Sequence, residues 1–227
     1  MPTWITDNSK YILLFLGVLA GLPLVWKRRK RMKLSRSWLV PLLCLVFTVL
    51  SLFSAIAFAA LESLISGKQV SFGAISTYGI YFICPFLLFA AARIARLEKK
   101  ELLDAFALYA VPSLFLMRCN CLISGCCLGR VIPGTDSRYP TREIELVFYI
   151  IIFLLLLWRE KHGKNVPGQQ FPLLMAAYGV FRFIEEWFRE GTGSSYLHLA
   201  HFWSILAVAA GASIFFELGK RAGRKKK

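Results

Sequence analysis

The sequence predicts an all-α integral membrane protein, a bundle of seven transmembrane helices, and two observations support this fold class. Hydrophobic residues make up 57% of the chain, which is above the roughly 45–50% of a soluble domain. These residues also gather in seven apolar runs, each long enough to cross or nearly cross a hydrocarbon core of about 30 Å. The runs cover residues 11–26, 38–58, 76–95, 101–117, 143–158, 170–188 and 200–218.

The runs follow one another without a break that would mark a second domain. No segment alternates with a period of two residues, and none is polar for long enough to form a soluble domain. We therefore expect residues 1–227 to form a single membrane domain that ends in a basic cytoplasmic tail at 219–227. The first run lacks a basic region before it and a small-residue cleavage site after it, so we expect it to remain as a helix.

The net charge of +15 follows the predicted membrane topology. Most of the 28 Lys and Arg lie in four segments, each after an odd-numbered run, at residues 27–36, 93–100, 159–164 and 220–227. Because loops rich in Lys and Arg stay in the cytoplasm, this spacing places the N-terminus outside and the C-terminus inside. The pattern predicts a multi-pass membrane protein among membrane lipids, with no nucleic-acid partner.

The arginines outside those four segments are the informative ones. Arg118 and Arg182 fall at the end of an apolar run or within one, and Arg138 belongs to the loop before the fifth run. A basic side chain at membrane depth costs about 2.5 kcal/mol or more and normally has a carboxylate partner or an anionic ligand. Arginines that converge from separate helices therefore predict a pocket for an anion.

The sixth run contains the sharpest local pattern, AAYGVFRFIEEWFREG. At about 100° per residue, Tyr178, Arg182, Glu186 and Arg189 fall within an arc of about 80° on one face of this helix. The simplest structural interpretation is an internal ion pair between Arg182 and Glu186, four residues apart. Tyr178 and Arg189 on the same stripe are more than one ion pair requires, which favours a functional site.

Three segments together resemble the prolipoprotein diacylglyceryl transferases, which are seven-helix enzymes of the bacterial plasma membrane. YGVFRFIEEWFRE resembles that family's Tyr-Gly-x-x-Arg-Phe-x-x-Glu-Phe-x-Arg segment. RCNCLISGCCLG resembles the signature Arg-Ile-Gly-Asn-Phe-x-Asn-Gly-Glu-x-x-Gly at Arg118, Gly125 and Gly129. RYPTREIE resembles Arg-His-Pro-Ser-Gln-Leu-Tyr-Glu at Arg138 and Glu145, among other positions. The resemblance extends over roughly residues 70 to 218.

The resemblance implies transfer of the diacylglyceryl group from phosphatidylglycerol to a cysteine thiol. The acceptor is the lipobox cysteine in the signal peptide of a prolipoprotein, and glycerol phosphate is released. Guanidinium groups of Arg118 and Arg182 would clamp the phosphodiester and stabilise the leaving group, so no cofactor or metal is expected. The implied catalytic residues are Arg118, Tyr178, Arg182 and Tyr78. The implied substrate-binding residues are Gly125, Arg138, Glu145, Glu186 and Arg189, with the two glutamates holding the arginines in place.

The chain departs from the family pattern at the residue that would act as the catalytic base. Family members carry a histidine in a Ser-x-His-Gly-Gly segment, and the corresponding stretch here is ISTYGIYF, with Tyr78 in that region. An unperturbed tyrosine has a pKa of about 10 and is a poor base at neutral pH. His198 and His201 lie at the predicted outer end of the last helix, where they fit better as interfacial residues than as a replacement base.

The cysteines in RCNCLISGCCLG stand where the family has asparagine and glutamate. Their spacing, Cys-x-Cys and Cys-Cys, differs from the Cys-x2–4-Cys pairs of zinc sites and is a weak metal signal. An oxidising outer face would favour a disulfide between Cys121 and Cys126 or Cys127. Free packing thiols, and metal or covalent thiol chemistry, remain open alternatives.

Several functions are compatible with these features. The chain is a divergent transferase of the family reaction, a relative with another acceptor, or an inactive relative that binds lipid. The alternative from another class is a transport-type membrane protein that binds anionic lipid and releases no glycerol phosphate. The two halves of the chain share no matching motif, which disfavours the internal repeats of many transporters.

Overall fold

The regular structure consists of helices, as predicted. The computed structural model describes residues 3–34, 36–67, 69–70, 74–163, 166–190 and 198–224, with side chains from residue 8 onward. Within these residues the helices are α1 (Thr3–Arg28), α2 (Leu39–Ile65), α3 (Tyr78–Phe82), α4 (Cys84–Ile94), α5 (Lys99–Ser124), α6 (Thr141–Lys161), α7 (Gln170–Glu185) and α8 (Leu199–Arg224). A single 3₁₀ turn, Glu186–Phe188, directly follows α7. The all-α fold class is confirmed.

Four of these helices are long and apolar enough to cross a membrane, judged by length and composition. They are Asn8–Arg28, Leu39–Ile65, Lys99–Ser124 and Leu199–Arg224. Helix α6 is 21 residues long but carries charged residues near both ends, and α7 has only 16 residues. The helices are those of a membrane protein, whereas the count of seven crossings and the orientation of the termini remain predictions.

The helix bounds differ from the apolar runs at several places. The third run is divided into α3 and α4, with Pro85 in the first turn of α4, a position that tolerates a residue without an N–H group. Helix α5 continues through Pro112 to Ser124, seven residues past the end of the apolar run at residue 117. Helix α8 extends to Arg224, so most of the predicted tail is helical, and residues 225–227 lie outside the described part of the chain.

Close packing between α7 and α8 depends on small residues. A Cβ atom on Gly211 would lie 2.7 Å from the Pro172 carbonyl oxygen, and one on Gly179 would lie 2.8 Å from that of Ser204. Small residues at such positions let two helix backbones approach closely, which is a common source of packing energy inside a membrane. This contact positions the end of α7, where Arg182 lies.

A buried charge cluster ties the other end of the bundle together. The Arg28 side chain is 1% exposed and pairs with Glu160 of α6, with Glu101 of α5 at 2.9 Å and with Asp104 of α5 at 3.5 Å. Asp104 also accepts hydrogen bonds of 2.8 Å from the backbone N–H groups of Gly168 and Gln170. The cluster therefore joins α1, α5 and α6 to the beginning of α7, about 20 Å along α5 from Arg118.

Candidate functional site

A cavity of about 670 Å³ opens between the helices at the end of the bundle opposite the Arg28 cluster. Its walls come from α1, α2, α3, α5, α6, α7, α8 and the loop that follows α5. Eight of the predicted site residues line it: Arg118, Tyr178, Arg182, Tyr78, Arg189, Cys121, Cys126 and Cys127. Leucine and alanine side chains, including Leu14, Leu52 and Leu114, line the apolar part of the wall.

Arg118 reaches the cavity because α5 is longer than its apolar run. Its guanidinium pairs with the Glu145 carboxylate of α6, whose side chain is 0% exposed, while 12% of the Arg118 side chain remains exposed. The Tyr149 hydroxyl donates a hydrogen bond of 3.0 Å to Glu145 Oε1. Glu145 therefore orients Arg118 from behind and does not reach a ligand itself.

Arg182 is held between two carboxylates. Its Nη1 atom lies 2.6 Å from Glu185 Oε2, and its Nη2 atom lies 2.8 Å from Glu186 Oε2. The second contact is the ion pair expected from the spacing in the sequence. Glu185 also lies 3.8 Å from Arg189 Nη1, so one buried carboxylate is shared by two arginines.

The loop after α5 carries Cys126 and Cys127 to the cavity wall and pairs with the segment that contains Arg189. Gly125 ends α5 with a φ of +67°, the left-handed conformation that glycine adopts most easily at a helix C-terminus. Gly129 forms an antiparallel β-bridge with Arg189. Arg138 lies outside the cavity wall, where its Nη1 atom donates to the Gly129 carbonyl at 3.1 Å and pairs with Glu190 at 2.7 Å. Gly125 and Arg138 therefore support the loop that carries the site.

The two predicted tyrosines lie side by side in the aromatic wall. Tyr178 is 1% exposed and stacks on Tyr81, with ring centroids 4.7 Å apart. The Tyr78 hydroxyl donates to the Ala200 carbonyl at 2.9 Å and shares a hydrogen bond of 2.6 Å with Ser204 Oγ. The Tyr78 hydroxyl is thus used to hold α3 against α8.

The cysteines form a cluster of free thiols. All six cysteines are unpaired in the structure, and the Sγ atoms of Cys121, Cys126 and Cys127 lie within 4.8 Å of one another. Arg118 Nη1 lies 3.8 Å from Cys121 Sγ. A hydrogen bond from the Cys121 thiol, together with the charges of Arg189 and Arg118, lowers the pKa of Cys127 well below the usual thiol range. A disulfide between Cys121 and Cys126 or Cys127 remains a prediction.

The structure adds two carboxylates that the sequence pattern left aside. Glu185 lies about 20° from Tyr178 in a helical projection, so the same periodicity could have identified it. Glu62 lies beyond the second apolar run, which ends at residue 58, but it belongs to α2 and lines the cavity. His201, by contrast, is 1% exposed and packs against Phe183 and Trp187, away from the cavity wall.

Comparison with known proteins identifies relatives of this chain. The family model described as prolipoprotein diacylglyceryl transferase matches residues 11–217. Three curated proteins named phosphatidylglycerol–prolipoprotein diacylglyceryl transferase also match. The Methylibium petroleiphilum protein is 30% identical over 100 residues, 40% of this chain and 38% of that protein. The Paracidovorax citrulli protein is 31% identical over 65 residues, 27% of this chain and 24% of that protein. The Polaromonas sp. protein is 26% identical over 99 residues, 41% of this chain and 34% of that protein.

The local matches and the family match differ in extent. The chain aligns with about a quarter to two fifths of the length of these curated relatives, between 24% and 38%. The family model, in contrast, runs from the first apolar helix to the last, over residues 11–217. Because that match covers nearly the whole chain and includes every wall of the cavity, the chain belongs to the prolipoprotein diacylglyceryl transferase family.

Proposed function

We propose that the protein transfers the diacylglyceryl group of phosphatidylglycerol to the thiol of a lipobox cysteine in a prolipoprotein, and that it acts in the bacterial plasma membrane. The observation that carries the proposal is the convergence of Arg118, Arg182 and Arg189 on one cavity with partly apolar walls. The curated relatives are named for this donor and this acceptor class.

The arginines retain N–H donors that can bind a ligand in addition to those used in their ion pairs. A guanidinium has five N–H donors in a planar fork that matches phosphate oxygens. The carboxylates of Glu145, Glu185 and Glu186 are buried behind the arginines, with side-chain exposures of 0%, 2% and 9%. They fix the orientation of the guanidinium groups before substrate arrives, which is the preorganisation that stabilises charge developing on a leaving group.

The shape of the cavity suits a lipid headgroup with its adjoining chains. Phosphate oxygens would lie against the arginines, while Leu14, Leu52 and Leu114 offer an apolar surface to the first carbons of an acyl chain. The chemistry then requires attack by a thiolate on the carbon that bears the phosphodiester oxygen. That C–O bond breaks, and glycerol phosphate leaves with the electron pair on its oxygen, where the arginines stabilise it.

The direct test measures the release of glycerol phosphate. Purified protein is incubated in phosphatidylglycerol nanodiscs with a lipobox peptide, and the peptide mass is followed in parallel. We expect release and a matching mass increase, and we expect both to fall to background in Arg182→Ala. Arg221→Ala removes the same charge from an exposed ion pair with Glu217 and serves as the control.

A second variant protects the test against loss of folding. Arg182→Lys retains one positive charge but cannot contact Glu185 and Glu186 in the same planar geometry. We expect its unfolding temperature to be closer to that of the wild type than the unfolding temperature of Arg182→Ala is. We also expect it to lose most of the glycerol phosphate release. Lipid binding without release in the wild type would contradict the transferase proposal and favour the lipid-binding or transport-type alternative.

A further inference from the structure

Three thiols meet on the wall of the cavity in an arrangement that fits a metal ion. The Sγ atoms of Cys121, Cys126 and Cys127 all lie within 4.8 Å of one another. Zinc–sulfur bonds of about 2.3 Å in a tetrahedral site place the sulfurs about 3.8 Å apart. Side-chain adjustments of about 1 Å or less would therefore bring the three thiolates onto one ion.

The backbone explains how consecutive cysteines point to the same place. Gly125 and Cys127 both have left-handed conformations, with φ of +67° and +57°, on either side of Cys126. This sequence of conformations turns the chain back over the end of α5, so that Cys126 and Cys127 face Cys121 in the last turn of the helix. The usual Cys-x2–4-Cys spacing of zinc ligands describes other backbone arrangements. It does not apply to this left-handed turn.

We propose that Cys121, Cys126 and Cys127 bind a zinc ion whose fourth position faces the cavity and takes the acceptor thiol. The proposal rests on the proposed transferase function. Three protein ligands and one open position are typical of catalytic zinc, whereas structural zinc has four protein ligands. Thiolates are soft ligands that select zinc over magnesium or calcium.

The electrostatic surroundings fit this assignment. Three thiolates and one Zn²⁺ carry a net charge of −1, so the site is stabilised by nearby positive charge. Arg118 Nη1 lies 3.8 Å from Cys121 Sγ, and Arg189 lines the same cavity as Cys127. Because the same arginines line the proposed phosphate site, a thiolate bound to zinc would lie beside the carbon it attacks.

Zinc would supply a means of activating the acceptor thiol. Tyr78 occurs where family members carry a histidine base, and its hydroxyl is engaged with Ala200 and Ser204. A thiol that binds zinc loses its proton outright. The acceptor thiol would displace a zinc-bound water, and its proton would pass to solvent water. As the S–C bond forms, the C–O bond of the donor breaks, and the departing phosphate oxygen keeps the electron pair. The thioether product is a weak ligand and would dissociate from zinc.

The first experiment measures metal without measuring activity. Full-length protein is purified in detergent with a phosphine reductant from cells grown with zinc, and its metal content is determined by mass spectrometry. We expect about one zinc per chain in the wild type and in Cys119→Ser, and a loss of roughly tenfold or more in Cys127→Ser. Cys119 belongs to α5, as Cys121 does, but lies outside the cluster, which makes it the matched control.

A second measurement identifies the ligands. Cobalt exchanged into the wild-type protein should show thiolate-to-cobalt charge-transfer absorption, and Cys121→Ser should weaken it while Cys119→Ser leaves it unchanged. Zinc below a tenth of an equivalent, equal zinc in Cys127→Ser and Cys119→Ser, or a disulfide between two of the three cysteines in the reduced preparation would each overturn the proposal.

The outcomes separate the zinc proposal from the proposed function. Zinc-free protein that still releases glycerol phosphate at the full rate would overturn the proposal that zinc binds the acceptor thiol, and it would leave the transferase function intact. Stoichiometric zinc with cysteine-dependent cobalt spectra but no release would retain the metal site and overturn the transferase. Chelation that abolishes release, with recovery on adding Zn²⁺, supports both.

Discussion

Arg118 and Glu145 form an ion pair between α5 and α6 in which the carboxylate is fully buried and the guanidinium still faces the cavity. A buried charge that loses its partner costs about 3–5 kcal/mol. The pair therefore couples the position of the proposed phosphate ligand to the packing of two helices.

Glu145→Gln should consequently affect both function and stability. The variant keeps the size of the side chain but leaves Arg118 without its counter-charge, so we expect glycerol phosphate release to fall by about tenfold or more, with earlier thermal unfolding. Glu143→Gln is the control, because Glu143 is on the same helix, 50% exposed, and 3.8 Å from Arg142. Equal behaviour of the two variants would contradict the role assigned to Glu145.

Tyr78→Phe and Ser204→Ala test whether the Tyr78 hydroxyl positions a helix or transfers a proton. Both variants remove the same 2.6 Å hydrogen bond between α3 and α8. A purely positional role predicts similar, modest losses in release and about 1 kcal/mol in stability for each. A loss of about a hundredfold or more in Tyr78→Phe alone would instead indicate general acid–base catalysis.

Asp104→Asn should destabilise the end of the bundle remote from the cavity. Asp104 accepts from two backbone N–H groups and lies 3.5 Å from Arg28. Asparagine cannot accept both bonds in the same way and brings no charge, so we expect a loss of about 2–3 kcal/mol in the free energy of unfolding. The control is Glu98→Gln, because Glu98 forms an exposed ion pair with Lys33 at 3.6 Å. Loss of this pair should change the free energy of unfolding by less than about 0.5 kcal/mol. Comparable thermal unfolding of both variants would show that the Arg28 cluster adds no stability.

Gly79→Ala should disrupt the contact between α3 and α2. A Cβ atom at Gly79 would lie 2.0 Å from the Ser54 carbonyl oxygen, so one backbone must shift. Overpacking of this kind costs about 1–3 kcal/mol, and it would also displace Tyr78 at the cavity wall. Gly223→Ala, where no atom lies within 4 Å of the added carbon, should leave unfolding and release unchanged. Wild-type behaviour of Gly79→Ala would mean that the close contact relaxes without cost.

Sequence patterns predicted several of the residues that line the cavity. Arg118 and Arg182 were identified because a charge at membrane depth needs a partner, and both have carboxylate partners in the structure. The ion pair of Arg182 with Glu186 follows from helical periodicity alone. The resemblance of three motifs to one family is confirmed by a match over residues 11–217.

Other features were outside the reach of these patterns. The end of α5 was placed too early because Arg118 and Asn120 interrupt the apolar run, although the helix continues through them to Ser124. The second apolar run likewise stops short of Glu62, whereas α2 extends to Ile65. Hydropathy marks the part of a helix that meets lipid, whereas backbone hydrogen bonding decides where the helix ends.

By itself, the sequence determined the membrane class, the helical runs and the arginines, because hydropathy, periodicity and the cost of buried charge are local properties of the chain. Only the tertiary structure decided that Cys121, Cys126 and Cys127 meet at one point beside Arg118. Their convergence depends on the left-handed turn at Gly125 and Cys127 and on the packing of that loop against Arg189. Distances across a fold arise from packing between helices, which residue spacing along the chain does not encode.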